Sequence, residues 1–166
     1  MTPRNLFDRI SGITGRIIAW LTLAMVLLTT VIVVMRYAFD AGFIWMQESV
    51  TWMHAAVFMV GAAYTLLHEE HVRVDIFYRK MNDRGRAIVD LVGVVIFLLP
   101  LCGFIALMAY DFAAVSWSIG ETSREPGGLP YPMIPLLKSL VVVMPLAVAL
   151  QGVSMMLRAL ATIRGK

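Results

Sequence analysis

Apolar residues in this chain come in long unbroken runs rather than in alternation with polar ones. Asp, Glu, Lys and Arg are absent from residues 17–35, 49–67, 91–110 and 139–157, runs of 19, 19, 20 and 19 residues. A helix needs about 20 mostly apolar residues to cross roughly 30 Å of hydrocarbon. The pattern therefore predicts an all-α membrane protein with four transmembrane helices and a single integral membrane domain over 1–166. The links, 36–48, 68–90 and 111–138, hold 13, 23 and 28 residues. Each falls short of the roughly 50 residues of a small folded domain, which excludes a soluble catalytic domain.

The first run exceeds the apolar core of a signal peptide, and Met35-Arg36-Tyr37-Ala38-Phe39 offers no small-residue cleavage site, so it is expected to stay as a helix. Basic residues set the expected orientation. Arg4, Arg9, Arg16, Arg73, Arg79, Lys80, Arg84, Arg86, Arg158, Arg164 and Lys166 fall on one side, and only Arg36, Arg124 and Lys138 on the other. The excess of Lys and Arg marks the cytoplasmic side. Both termini are then inside, and links 36–48 and 111–138 face outward.

The links carry patterns of their own. Val74, Phe77, Tyr78 and Met81 follow helical spacing with Arg79 and Lys80 off the stripe, which predicts a short amphipathic helix in the cytoplasmic interface. Asp83 is placed to cap the third helix. That helix is expected to run past Tyr110 through Trp117, with a kink at Pro100. The stretch 125–132 holds three prolines and two glycines and is no regular helix.

Composition agrees with the pattern: 60% of residues are hydrophobic and 15% charged, against about 45–50% and about 25% in soluble domains. One cysteine excludes a disulfide framework. The net charge of +3 suits an anionic membrane surface better than nucleic acid.

Ionisable groups inside spans are the first functional suspects in a membrane protein, and few exist here. Asp90 and Asp111 lie 21 residues apart, roughly 31 Å along a helix, so they form no carboxylate pair. Gln151 is expected to bond to a neighbouring helix. His54 is expected to bond across a helix interface; a bis-histidine haem would need a partner at the same depth, which His68 and His71 do not supply. His68-Glu69-Glu70-His71 departs from the H-E-x-x-H spacing of a zinc site. Cys102 and the scattered methionines are expected to fill core space. The residues give no catalytic, cofactor or metal site.

Gly61, Ala62, Ala63 and Thr65, with Gly93, Gly103 and Gly152, let helices approach closely. They suit a four-helix bundle closed on itself or docking on a larger membrane partner. Trp45 and Trp52 are interfacial anchors. Arg36 and Glu48 bracket the first outer link, which is able to fold as a short interfacial helix that brings them into a pair.

Several ordered motifs carry a resemblance. They are Arg36-Tyr37-x-Phe39, Trp45-x-x-Glu48, Gly61-Ala62-Ala63-Tyr64, His71-Val72-Arg73-Val74-Asp75, Ser116-Trp117-x-x-Gly120-Glu121-x-Ser123 and Gly128-Leu129-Pro130. With four spans and both ends inside, the chain resembles the small membrane subunit of tripartite ATP-independent periplasmic (TRAP) transporters, the DctQ-like family, from about Leu6 to Leu160. Family members often carry two adjacent acids after the tryptophan; here the first position is Gln47, leaving Glu48 alone.

The resemblance implies a bacterial inner-membrane scaffold for a large permease subunit, which holds the substrate and sodium sites. It implies sodium-driven import of an organic acid delivered by a periplasmic substrate-binding protein. Arg36, Trp45, Glu48, Gly61, Arg73, Asp75, Trp117, Glu121, Gly128, Leu129 and Pro130 become the candidates for contact with those partners. The short C-terminus after Leu157 implies that the large subunit is a separate chain. Two other classes compete. A cytochrome-type membrane anchor of a redox complex needs a second in-span histidine, and a self-sufficient four-helix exporter needs an in-membrane acid.

Overall fold

A computed structural model describes residues 6–67, 78 and 80–165, apart from the side chains of residues 6–12 and 14–17. Among these residues all regular structure is helical, and four helices are long and apolar enough to span a bilayer. They are α1 (Leu6–Phe39), α2 (Ile44–Leu67), α3 (Asp83–Ser118) and α4 (Met133–Ile163). Each runs beyond its uncharged stretch, because helical hydrogen bonding continues until a residue or a turn stops it.

The stops are local. After α1, Asp40 takes a left-handed conformation at φ 50°, and the Ala41 N–H closes on the Met35 carbonyl at 3.0 Å. Asp is among the few non-glycine residues that tolerate this region. α2 begins only four residues after α1 ends, so the two form a tight hairpin, and no interfacial helix fills the first outer link. Asn82, not Asp83, caps α3: its side chain accepts the Gly85 N–H at 2.8 Å. Asp83 sits one position inside, where it suits the positive end of the helix dipole.

Nor is the irregularity in α3 a kink at Pro100 itself. It is a π-turn over Val94–Leu98, in which the Leu99 N–H reaches back to the Val94 carbonyl. Proline has no N–H and crowds the carbonyl four residues earlier. One extra residue in the preceding turn relieves that crowding, and the helix continues. In α4, Pro145 is likewise accommodated inside the helix and is fully buried. The amphipathic segment expected at 74–81 lies largely outside the described residues.

The helices do not form a closed bundle. α1 packs on α2, α2 on α4, and α4 on α3, and α1 also touches α4; among the described residues α1 and α3 share no substantial interface. A buried cluster joins Ala63 of α2, Cys102 of α3 and Val148 of α4, where Cys102 fills core space as its size predicts. Buried residues are mostly small, including Ala56, Ala87, Ala109, Ala113 and Ala159, which bring backbones close where lipid gives no hydrophobic drive to associate. Gly152 does the same against the Leu98 side chain. Gly61, Gly93 and Gly103 instead face open space. No residue of α1 between Ile18 and Phe39 is buried.

Candidate partner interface at the loop end

The α1–α2 turn and the α3–α4 loop lie at one end of the molecule, opposite the start of α3 and the end of α4. The loop, residues 119–132, contains no regular helix, so its backbone groups need partners elsewhere. α2 supplies several. The Leu129 N–H donates to Glu48 Oε2 at 2.6 Å, and the Ser123 hydroxyl donates to Glu48 Oε1. The Trp45 N–H, one of the four unpaired donors that begin a helix, donates to the Gly127 carbonyl at 3.1 Å. The Trp52 indole N–H reaches the Met133 carbonyl, where α4 starts, at 3.2 Å.

The loop also closes on itself. The Glu125 N–H donates to Ser123 Oγ at 3.1 Å, and the Gly128 N–H to the Glu125 carbonyl at 3.0 Å. Gly128 is required by space: a Cβ there would stand 2.6 Å from Ser123 Cβ and 2.8 Å from Glu48 Oε2. Leu129 is buried beneath this clasp. The Pro130 carbonyl accepts the Met133 N–H at 3.0 Å and leads the chain into α4.

A second cluster ties α3 to α4. Glu121 Oε2 accepts from the fully buried Ser116 hydroxyl at 2.6 Å and from Lys138 Nζ at 2.5 Å. The Lys138 ammonium bonded to Glu121 holds that carboxyl below the usual carboxylate range, and the Ser116 hydroxyl adds to the effect. Lys138 also lies 4.3 Å from the centre of the Phe112 ring. Trp117 donates from its indole to Ser139 Oγ at 2.9 Å and meets Tyr131 edge-on at 6.1 Å.

The sequence candidates thus separate into groups. Trp45, Glu48, Gly128, Leu129 and Pro130 converge in the α2 clasp; Trp117 and Glu121 belong to the α3–α4 cluster. Arg36 stays exposed, and among the described residues no ion pair joins it to Glu48. The tight α1–α2 turn removes the flexible link that such a pairing needed. Gly61 lies 13 residues past Glu48 along α2, between three and four helical turns from the clasp. Arg73, Asp75, His68 and His71 lie outside the described residues.

His54 departs from expectation: it is exposed, with its ring 6.0 Å from that of Phe58 on the same helix. Gln151 is fully buried and has its hydrogen-bonding needs met. Lys138 and Asn82 were not singled out in the sequence. The signal for Lys138 was its basic charge on the sparsely basic outer side, next to an uncharged run.

No three His, Cys, Asp or Glu side chains converge as a metal site among the described residues. Both inward carboxylates, Glu48 and Glu121, are engaged in holding the loop. At its tip the loop exposes Thr122, Arg124, Glu125, Pro126 and Gly127.

Residues 25–162 match the family described as tripartite ATP-independent periplasmic transporters, DctQ component. The chain belongs to this family. This DctQ chain is 33% identical over 95 residues to the C4-dicarboxylate TRAP transporter small permease protein DctQ of Vibrio cholerae serotype O1 (strain ATCC 39315 / El Tor Inaba N16961). That similarity covers 55% of this chain and 41% of the relative, so the chain spans about two-fifths of the relative's length. DctQ membership makes it a multi-pass membrane component of a transporter, not an enzyme.

Proposed function

We propose that this chain is the small permease subunit of a TRAP transporter and acts as a membrane scaffold for the large permease subunit. The sparse burial of α1 is the observation that carries the reading. A four-helix chain with an unburied α1, and with Gly61, Gly93 and Gly103 facing open space, leaves broad faces for another membrane protein to cover. The uncharged runs of the spans also hold no Asp, Glu, Lys or Arg for a substrate or ion path.

The proposed transport is sodium-driven import of an organic acid delivered by a soluble periplasmic binding protein. The name of the Vibrio relative supports a C4-dicarboxylate as the substrate class. The proposed topology places both termini in the cytoplasm and the clasped loop outside, on the distribution of Lys and Arg. Exposed Arg124 and Glu125 then face the binding protein.

The test is uptake of radiolabelled succinate into cells that carry the large subunit and the binding protein. The reading predicts uptake that needs both this chain and external sodium. Sodium-dependent uptake at full rate without the chain would contradict it.

A further inference from the structure

At the end opposite the clasp, residues of α2, α3 and α4 line an open cavity of about 400 Å³. Its polar lining includes Arg86 and Arg158; Leu66, Ala87, Met155 and Ala159 supply an apolar floor. The depth of this cavity is set by the chain. α4 leaves its uncharged run at Arg158, and α3 enters its own directly after Asp90, one turn beyond Arg86. The two guanidinium groups therefore stand where hydrocarbon gives way to lipid headgroups, with Ala87 and Ala159 at their level and Leu66 and Met155 on the hydrocarbon side.

Both arginines are held by neighbours. Arg86 donates from Nε to the Tyr78 carbonyl at 3.3 Å, with its guanidinium 5.8 Å from the centre of the Tyr78 ring. Arg158 donates from Nη1 to Ser154 Oγ at 3.4 Å. A guanidinium matches a phosphate in planar, bidentate fashion, and basic pockets between transmembrane helices at the membrane boundary suit lipid headgroups. Two acids also line the cavity. Asp90 accepts the Tyr78 hydroxyl at 2.8 Å; Asp83 stands 4.0 Å from Arg86 with its side chain 92% exposed. The lining is therefore close to neutral, and a free anion gains little long-range attraction there. A phosphodiester that carries acyl chains adds burial against the apolar floor.

We infer that this cavity is a site for a glycerophospholipid, with its phosphodiester held between Arg86 and Arg158 and an acyl chain along Leu66, Ala87, Met155 and Ala159. The inference rests on the membrane placement of the helices, not on the transport reading. The test is native mass spectrometry of the full chain released from nanodiscs containing phosphatidylglycerol, comparing wild type with Arg86→Gln, Arg158→Gln, Arg158→Lys and Arg84→Gln. Arg84 is exposed and outside the cavity lining, so it serves as the control. Circular dichroism identifies any variant that fails to fold, and Arg158→Lys keeps the charge if Arg158→Gln does not survive.

Wild type and Arg84→Gln should retain one lipid. Each cavity arginine variant to Gln should retain it about fivefold less, and Arg158→Lys should fall between. Equal lipid retention by all folded variants would overturn the site. Inorganic phosphate that displaces the lipid at millimolar concentration and protects the same arginines would overturn the lipid in favour of a soluble anion.

Discussion

The Glu48 carboxylate near the start of α2 accepts the backbone N–H of Leu129, 81 residues later, at 2.6 Å, and takes the Ser123 hydroxyl on its other oxygen. One side chain thereby fixes the loop that joins the last two helices to the first helix hairpin. Removing it leaves a buried amide without its acceptor. Hydrogen bonds to charged groups contribute about 1.5–3 kcal/mol each. Glu48→Ala should lower stability by about 2–3 kcal/mol on that scale, and Glu48→Gln by less, because one amide oxygen still accepts. Thermal unfolding in detergent, read with protease sensitivity of residues 119–132, measures both. Unchanged melting and unchanged cleavage of the loop in Glu48→Ala would show that the clasp contributes nothing.

Coupling energies should separate the true partner of Glu48 from the one its place in the sequence suggests. Glu48 and Ser123 share a hydrogen bond, so their double-mutant cycle should show coupling of about 0.5–3 kcal/mol. Gly128→Ala should show the same dependence, since its Cβ would press on both residues. Glu48 and Arg36 should be additive, because Arg36 is exposed and shares no partner with it. Coupling between Glu48 and Arg36 equal to that between Glu48 and Ser123 would refute the assignment.

Glu121 gives a pH dependence with a definite sign. Its carboxyl titrates below the usual range in the folded state, chiefly through the hydrogen bond from Lys138. A lowered folded pKa stabilises at pH values above the unfolded value of about 4.3. The contribution fades as pH falls through the folded pKa. Glu121→Gln should therefore melt below wild type at neutral pH, and the gap should narrow on acidification below about pH 4.3. A gap constant down to strongly acidic pH would mean that the Glu121 charge is not what stabilises.

The helical architecture was legible because four runs free of charge, each near the length of a bilayer, admit little else. The cap at Asn82 was missed because Asn and Asp are near-equal caps and stand side by side, so only the backbone decides between them. In place of the kink expected at Pro100 there is a π-turn over Val94–Leu98, because a proline's steric demand is met in the turn before it. The motif residues Glu48, Ser123, Gly128 and Leu129 were visible, but not their mutual contact. Spacing in sequence carries no signal for a bond across 75 or 81 residues. The same holds for Arg36, whose nearness to Glu48 in the chain suggested a pair that the four-residue turn does not form.

The exposed tip of the loop should control encounter with the soluble partner, not assembly in the membrane. Glu121 is turned inward to Ser116 and Lys138, so its reversal would damage the fold instead of testing contact. Arg124→Glu and Glu125→Lys change only exposed charge. Each should slow uptake at limiting binding protein severalfold at low salt, less at high salt, since rim charges act mainly on association rate. Subunit co-purification should stay unchanged. Uptake equal to wild type at limiting binding protein and low salt would remove the loop tip from that contact.

On the proposed reading, this chain holds another membrane protein in place. Affinity purification of the tagged chain from its native membrane in mild detergent, with the eluted partners identified by mass spectrometry, tests it most directly. The account predicts a large TRAP permease subunit at a near-stoichiometric level. A chain that elutes as a stable monomer, with that subunit found only in the unbound fraction, would contradict it.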